Sequence, residues 1–283
     1  MKDLDALAVA DIVERALAED LGPQRLDLTS EATIPADQTG VGDLLARADG
    51  VVAGLPVAAA VFRAVSADVT FVPLVGEGTR VVRGDVLATV EGPTRALLTA
   101  ERTALNLLCR MSGVATHTRT WADVLEDTGA TVLDTRKTTP GLRVLEKYAV
   151  RVGGGTNKRM GLYDVAMIKD NHKLAAGSIT AAYRRVRAAY PDVPVQVEVT
   201  TVAEALEAVA AGADFLLCDN MSPELLREVV EAVGGRAELE ATGGLTLAVA
   251  REYALTGVNY LSVGGLTHSS PILDIALDLR VKD

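Results

Sequence analysis

Six apolar runs in the second two-thirds of the chain each end abruptly in polar or charged residues, and this pattern limits the fold more than any other feature. The runs are TVLDTRK (131–137), VAMIKDN (165–171), VPVQVEVT (193–200), DFLLCDN (214–220), AELEATGG (237–244) and NYLSVGG (259–265). Helical patterns at 178–190, 202–211, 223–233 and 246–256 lie between most of them. The last two intervals have the length of one βα unit, as in a parallel barrel or a layered sheet. In such folds the chemistry collects at the carboxyl ends of the strands. Those ends carry Asp134, Arg136 and Lys137, then Lys169, Glu198, Asp219, the group Thr242, Gly243 and Gly244, and finally Gly264 and Gly265. Packing alone does not call for ligand-type groups at six consecutive strand ends.

Before about residue 100 the style of the sequence differs. A helical pattern at 7–19 is followed by short alternating or apolar runs at 42–48, 69–75, 80–82 and 86–90, punctuated by Gly and Pro. This reads as a small sheet-rich domain. The segment GEGTRVVRGDVLATVEG looks like the strands of a lipoyl or biotinyl carrier, but residues 50–100 hold no lysine to modify. Two helical stretches, 99–112 and 117–127, are expected to bridge the two parts. EDTG at 126–129 is similar to an acidic phosphoribosyl pyrophosphate loop, yet it ends a helical pattern and reads as a decoy. No G-x-x-x-x-G-K-[ST] loop is present, and no G-x-G-x-x-G follows a strand.

Charge locates what the strand ends suggest. The 283 residues carry 38 acids and 28 bases, a net charge of −10. Nine bases and four acids lie between Asp134 and Lys173, so this stretch is +5 and the remainder is −15. A basic block inside an acidic chain fits a small anion rather than a polyanion. Nucleic-acid binding is disfavoured, and ten aromatic residues leave little for base stacking. Within the block, the fourfold spacing of Arg143, Lys147 and Arg151 reads as a solvated helix face. Mean hydropathy is +0.23, but the longest greasy run, 51–62, is interrupted by Gly54 and Pro56. It falls short of the ~20 apolar residues of a bilayer span. With no signal-peptide pattern at the start, the expected location is the cytoplasm. Cys109 and Cys218 each follow a Leu-Leu pair and are expected to be buried free thiols.

The groups at the strand ends have definite chemical uses. Two successive Gly-Gly loops ahead of helical stretches suit a phosphate, because the backbone can approach closely and helix N–H groups are free. Glu198 and Asp219 end neighbouring strands and can hold Mg²⁺ or accept hydrogen bonds from sugar hydroxyls. The competing reading is that they cap the helices that follow. Arg136, Lys137 and Lys169, with Lys158 and Arg159 in the glycine-rich VGGGTNKRMG loop, form the basic side. A strand-end lysine such as Lys169 can also be a Schiff-base nucleophile, which keeps a barrel aldolase open. No zinc-type His/Cys spacing occurs, and His117, His172 and His268 are far apart.

In order along the chain stand ERTALNLLCRMSGVAT, DTRKTTPGLRVLEKYAV, GGGTNKRMGLYDVAMIKDNH, EVT, CDNMSPE, EATGGL and LSVGGLTHSS. Together they resemble the quinolinate phosphoribosyltransferase family over nearly the whole chain. The resemblance implies an α/β fold, an incomplete seven-stranded α/β barrel at 109–270 with a smaller N-terminal α/β sandwich domain at 1–108 that residues 271–283 rejoin. Only six of the seven strands are visible in the sequence. It implies phosphoribosyl transfer from phosphoribosyl pyrophosphate to quinolinate, with decarboxylation and Mg²⁺, in a homodimer with shared active sites. By motif match, Arg102 would come from the partner subunit, while Arg136, Lys137, Lys158, Arg159 and Lys169 would hold quinolinate. Lys137, Lys169, Glu198 and Asp219 would be the catalytic set. Glu198 and Asp219 would face the ribose and Mg²⁺, and Thr242, Gly243, Gly244, Gly264, Gly265 and His268 the phosphate side. A related pyrophosphorylase associated with molybdate-transport operons looks similar, but retention of Arg136 and Lys137 favours quinolinate. The chain departs from the family in three places. It has Lys158 where the family usually has His, Thr242 within the glycine motif, and Gln196 where an acid is frequent.

Overall fold

The computed structural model describes residues 4–281, which fall into two compact units. One gathers the chain up to Arg119, Thr138–Gly154 and the chain from Leu266 on. The other comprises Thr120–Lys137 and Gly155–Gly265. The chain opens with α1 (Ala6–Leu21), α2 (Leu28–Thr33), β1 (Thr39–Ala46), β2 (Gly50–Val51), α3 (Leu55–Val65), β3 (Thr70–Pro73), β4 (Arg80–Val81) and β5 (Val86–Pro93). It continues with α4 (Thr94–Val124), β6 (Thr131–Leu133), α5 (Arg143–Val152), β7 (Ala166–Ile168), α6 (Asp170–Ala176), α7 (Ile179–Ala189) and β8 (Val195–Val199). It closes with α8 (Val202–Ala211), β9 (Phe215–Asp219), α9 (Pro223–Val233), β10 (Glu238–Thr242), α10 (Leu247–Ala254), β11 (Tyr260–Ser262), α11 (Gly265–His268) and β12 (Ile275–Val281).

In the first unit, Asp5 caps α1 by accepting the Leu7 amide at 3.0 Å. Val9, Ile12, Val13 and Leu17 form its buried stripe, and Gly22 at φ 65° ends it. The antiparallel sheet runs β12-β1-β5-β3, and β2 pairs with β4 as a separate ribbon. β1 alternates between buried and more exposed positions, as a strand with one covered face should. β12 pairs with β1 from Gly40↔Val281 to Ala46↔Ile275.

Two sequence expectations need correction in this unit. The helical stretches at 99–112 and 117–127 are one helix, α4, of 31 residues. Gly113, between those two stretches, lies inside the helix. A Cβ there would overlap the Pro271 carbonyl oxygen and the Ile272 Cα, so this glycine admits the returning chain rather than ending a helix. The solvated face of Arg143, Lys147 and Arg151 is also overturned. Lys147 is 0% exposed, as is its neighbour Glu146. The spacing does define one helix face, but residues 145–150 of α5 are all buried, so that face is not left to solvent. Glu146 Oε1 receives Arg110 Nη2 at 2.7 Å, and the Arg151 guanidinium lies over the Tyr148 ring.

In the second unit, all six strand-end runs are strands, and every pairing is parallel in the order β6-β11-β10-β9-β8-β7. The sheet is open between β6 and β7, which makes the barrel incomplete. Where a seventh strand would lie there is one bridge: the Thr156 amide donates to Val132 O at 2.9 Å, and its carbonyl accepts from Asp134 N at 3.2 Å. The GGGT segment has no apolar run, so it gave no strand signal. Thr201 and Ser222 cap α8 and α9, which start the return segments after β8 and β9.

Alternate strand positions divide by chemistry. Val195, Val197, Val199, Leu216, Cys218, Leu239, Ala241 and Leu261 are apolar and buried on the helix-covered side. The other side carries Gln196, Glu198, Asp219, Glu240, Thr242 and Ser262, with buried Leu217 level with Glu198 and Glu240, and Asp219 level with Thr242. Both cysteines are buried and free, as expected, and burial pushes the Cys218 thiol up to about 12. Among the described residues no helix is long and apolar enough to cross a membrane.

Candidate active site

The basic loop is tied to the strand ends by a buried carboxylate. Asp134 follows β6 and is 0% exposed. Its Oδ2 accepts Asn157 Nδ2 at 2.5 Å and its Oδ1 accepts the Lys158 amide at 2.8 Å. That pinning turns the Lys158 side chain toward β10, where its Nζ lies 2.6 Å from both carboxylate oxygens of Glu240. Burial pushes the Lys158 ammonium down from its ordinary range. Glu240 opposes this, while nearby Arg159 and Lys169 add to it. Arg159 is also lowered, first by burial and then by Arg136. Its Nη1 donates to Val165 O at 3.0 Å. Arg136, Lys158, Arg159 and Lys169 thus form one electrostatic cluster.

The acids sit across from this cluster. The β7–β8 register pairs Ile168 with Val197, which sets Lys169 level with Glu198. Lys169 Nζ is 3.2 Å from Glu198 Oε2; the lysine is half-exposed and the glutamate buried. With Thr201 and Ser222 serving as caps, neither Glu198 nor Asp219 is spent on a helix terminus. Asp219 pairs in register with Thr242. Asn220, unremarked in the sequence, donates Nδ2 to Asp219 Oδ2 at 2.8 Å and its amide to Thr242 O at 2.9 Å. It takes φ +52°, a left-handed conformation that Asn tolerates. Gly243 has φ +101°, and a Cβ there would overlap the Asn220 side-chain oxygen. The glycine motif and the acidic strand end are therefore one packed unit. The readable signal was an Asn directly after a strand-end Asp.

Among the described residues no three His, Cys, Asp or Glu side chains gather to hold a metal. Two strand-end carboxylates do fit a hard divalent ion that takes the rest of its oxygen shell from a bound phosphate and water.

Comparison with known proteins decides the family. Residues 27–112 match the model for the quinolinate phosphoribosyl transferase N-terminal domain, and residues 114–278 match the model for its C-terminal domain. The chain belongs to the quinolinate phosphoribosyltransferase family. It is 47% identical to the nicotinate-nucleotide pyrophosphorylase [carboxylating] of Mycobacterium leprae, over 99% of this chain and 100% of that one. It is 38% identical to quinolinate phosphoribosyltransferase [decarboxylating] 1b of Nicotiana tabacum, over 95% of this chain and 81% of that one. Among solved structures, NadC from Streptococcus pyogenes superposes with a TM-score of 0.96 at 39% identity, over 100% of both chains.

The remaining residues singled out for this family fall as follows. Lys137 is exposed, and its amide donates to Thr135 Oγ1 at 3.0 Å. Gly244 has φ +58° with open space around it, and Gly264 and Gly265 come after β11 and Val263, with Gly265 opening α11. Arg102 and His268 belong to the other compact unit: Arg102 is exposed on α4, and His268 ends α11 with Nδ1 2.6 Å from Ser269 Oγ. The Schiff-base reading of Lys169 finds no support among these relatives, which are phosphoribosyltransferases and pyrophosphorylases.

Proposed function

We propose that this chain transfers the phosphoribosyl group of phosphoribosyl pyrophosphate to quinolinate and decarboxylates the product. The reaction yields nicotinate mononucleotide, pyrophosphate and CO₂ on the de novo route to NAD. The observation that carries this reading is the crowding of Arg136, Lys158, Arg159 and Lys169 beside the buried carboxylates Glu198 and Glu240, in a chain of this family. Arg159, lowered by burial and by the charge of Arg136, is relieved by a bound dianion, and quinolinate is a dicarboxylate.

Each group then has a role. Arg136 and Arg159 grip the carboxylates through their planar forks, with Lys137 and Lys169 adding compact charge. Lys158 contributes positive potential from its place on Glu240. When pyrophosphate leaves C1 with the bonding pair, the ribose becomes oxocarbenium-like, and Glu198 stabilises that charge. The pyridine nitrogen forms the new bond to C1 and becomes positive. The bond from C2 to its carboxylate then breaks, CO₂ departs, and the electron pair left at C2 takes a proton from water. The protein positions reactants and neutralises charge without a covalent intermediate. Glu198 and Asp219 would hold Mg²⁺, which when bound neutralises phosphate charge. Thr242, Gly243, Gly244, Gly264, Gly265 and His268 would take the phosphate side.

The working form is a homodimer in which Arg102 serves the partner's site. It works in the cytoplasm, where the buried cysteines stay reduced. The test supplies purified protein with quinolinate, phosphoribosyl pyrophosphate and Mg²⁺ and measures nicotinate mononucleotide. Product formation is expected. No product with quinolinate would overturn the reading.

A further inference from the structure

We infer that Lys173 is a positioning residue which, with Glu204, closes a ring of contacts that holds Lys169 against Glu198. Lys173 belongs to the basic block, but the proposed reaction gives it no part. Its Nζ lies 2.7 Å from Asp170 Oδ1 and 3.0 Å from Glu204 Oε1, and its side chain is 10% exposed. Glu204 in turn accepts the Thr200 amide at 2.7 Å and the Thr200 hydroxyl at 3.0 Å, both at Oε2. Thr200 is two residues past Glu198, and Asp170 is the residue after Lys169. The ring therefore runs from Lys169 to Glu198, along the chain to Thr200, through Glu204 and Lys173 to Asp170, and back to Lys169. Inside it, the Lys169 amide donates to His172 Nδ1 at 3.0 Å.

The ring matters because the contact it encloses is weak by itself. Lys169 is 51% exposed, and an exposed ion pair does not hold a long flexible side chain in one place. The Lys173–Glu204 contact is better shielded, and its two groups are mutually stabilised. Burial opposes the Lys173 charge, but its bonds to Asp170 and Glu204 outweigh that and raise it. Burial likewise opposes the Glu204 charge, but bonds from Thr200 and Lys173 outweigh it and lower Glu204. The two helices that start after β7 and β8, α6 and α8, are joined by this pair. The strand-end residues just before them are thereby kept level.

The test uses ligand-free full-length protein with lysine side chains labelled at Cε. The Lys169 resonance is assigned by its absence from Lys169→Arg, and Glu198→Gln marks its position when the pair is broken. Lys173→Met, and independently Glu204→Gln, should move the Lys169 signal at least half of the way to that reference, while Lys173→Arg keeps it within a quarter. A Lys169 signal unmoved in both Lys173→Met and Glu204→Gln would overturn the proposal; a merely structural role would leave it there. A second arm rests on the function proposed above. The Kd for quinolinate should rise at least fivefold in Lys173→Met and rise no further when Lys169→Met is already present. A Kd that multiplies in the double variant would overturn the ring. Wild-type protein that binds no quinolinate, with the Lys169 signal still moved by Lys173→Met, would overturn the function and support the ring.

Discussion

Lys158 carries its charge into a place from which water is nearly excluded, with its side chain 8% exposed against a fully buried Glu240. Burial lowers its affinity for a proton relative to the unfolded chain, and Glu240 only partly restores it. Between the lowered folded value and the ordinary 10.5, the unfolded chain holds more protons, so stability rises with pH across that window. Urea titrations should therefore show wild type gaining on Lys158→Met as pH rises toward 10.5. Glu240→Gln leaves the ammonium buried without a carboxylate and should cost about 3–5 kcal/mol near neutrality. That loss should shrink at alkaline pH; a loss independent of pH would contradict the buried pair. Such partnerships were not legible in the sequence, since Lys158 and Glu240 stand 82 positions apart. The strand-end identities of Lys169, Glu198 and Asp219 were legible, because each polar group follows directly on an apolar run, at the strand ends where chemistry gathers in parallel α/β folds.

Elements were readable where hydrophobic period and length agree, and misread where a residue serves packing instead. All six parallel strands announce themselves as apolar runs. The seventh, reduced to the Thr156 bridge, has no side-chain pattern because backbone bonds alone define it. α5 has its basic residues on one face, yet spacing cannot say whether a face turns inward, and Lys147 is fully buried. At Gly113 the helical preference and the packing point in opposite directions. Alanine is the better helix former by about 1 kcal/mol, but its Cβ would meet the Pro271–Ile272 backbone. Gly113→Ala should lower stability by a net ~1–3 kcal/mol, the usual cost of overpacking. The midpoint of urea unfolding reports it, and a midpoint raised by the substitution would contradict the close approach.

At the scale of the whole molecule, the residues assigned to the reaction are divided between the two units. Arg136, Lys158, Arg159, Lys169, Glu198 and Asp219 are in one, and Arg102 is exposed on α4 in the other. If the site is shared between subunits, Arg102→Ala and Arg136→Ala, each inactive alone, should regain activity when mixed, to at most about a quarter of wild type for random exchange. Exchange of subunits without recovered activity would contradict sharing. The reaction is tested most directly with quinolinate labelled in its 2-carboxylate, by counting released CO₂ against pyrophosphate and nicotinate mononucleotide during turnover with phosphoribosyl pyrophosphate and Mg²⁺. Phosphoribosyl transfer with decarboxylation predicts equal amounts of all three, and a sharp drop in all three for Glu198→Ala. Pyrophosphate released without labelled CO₂, or no turnover of quinolinate at all, would contradict it.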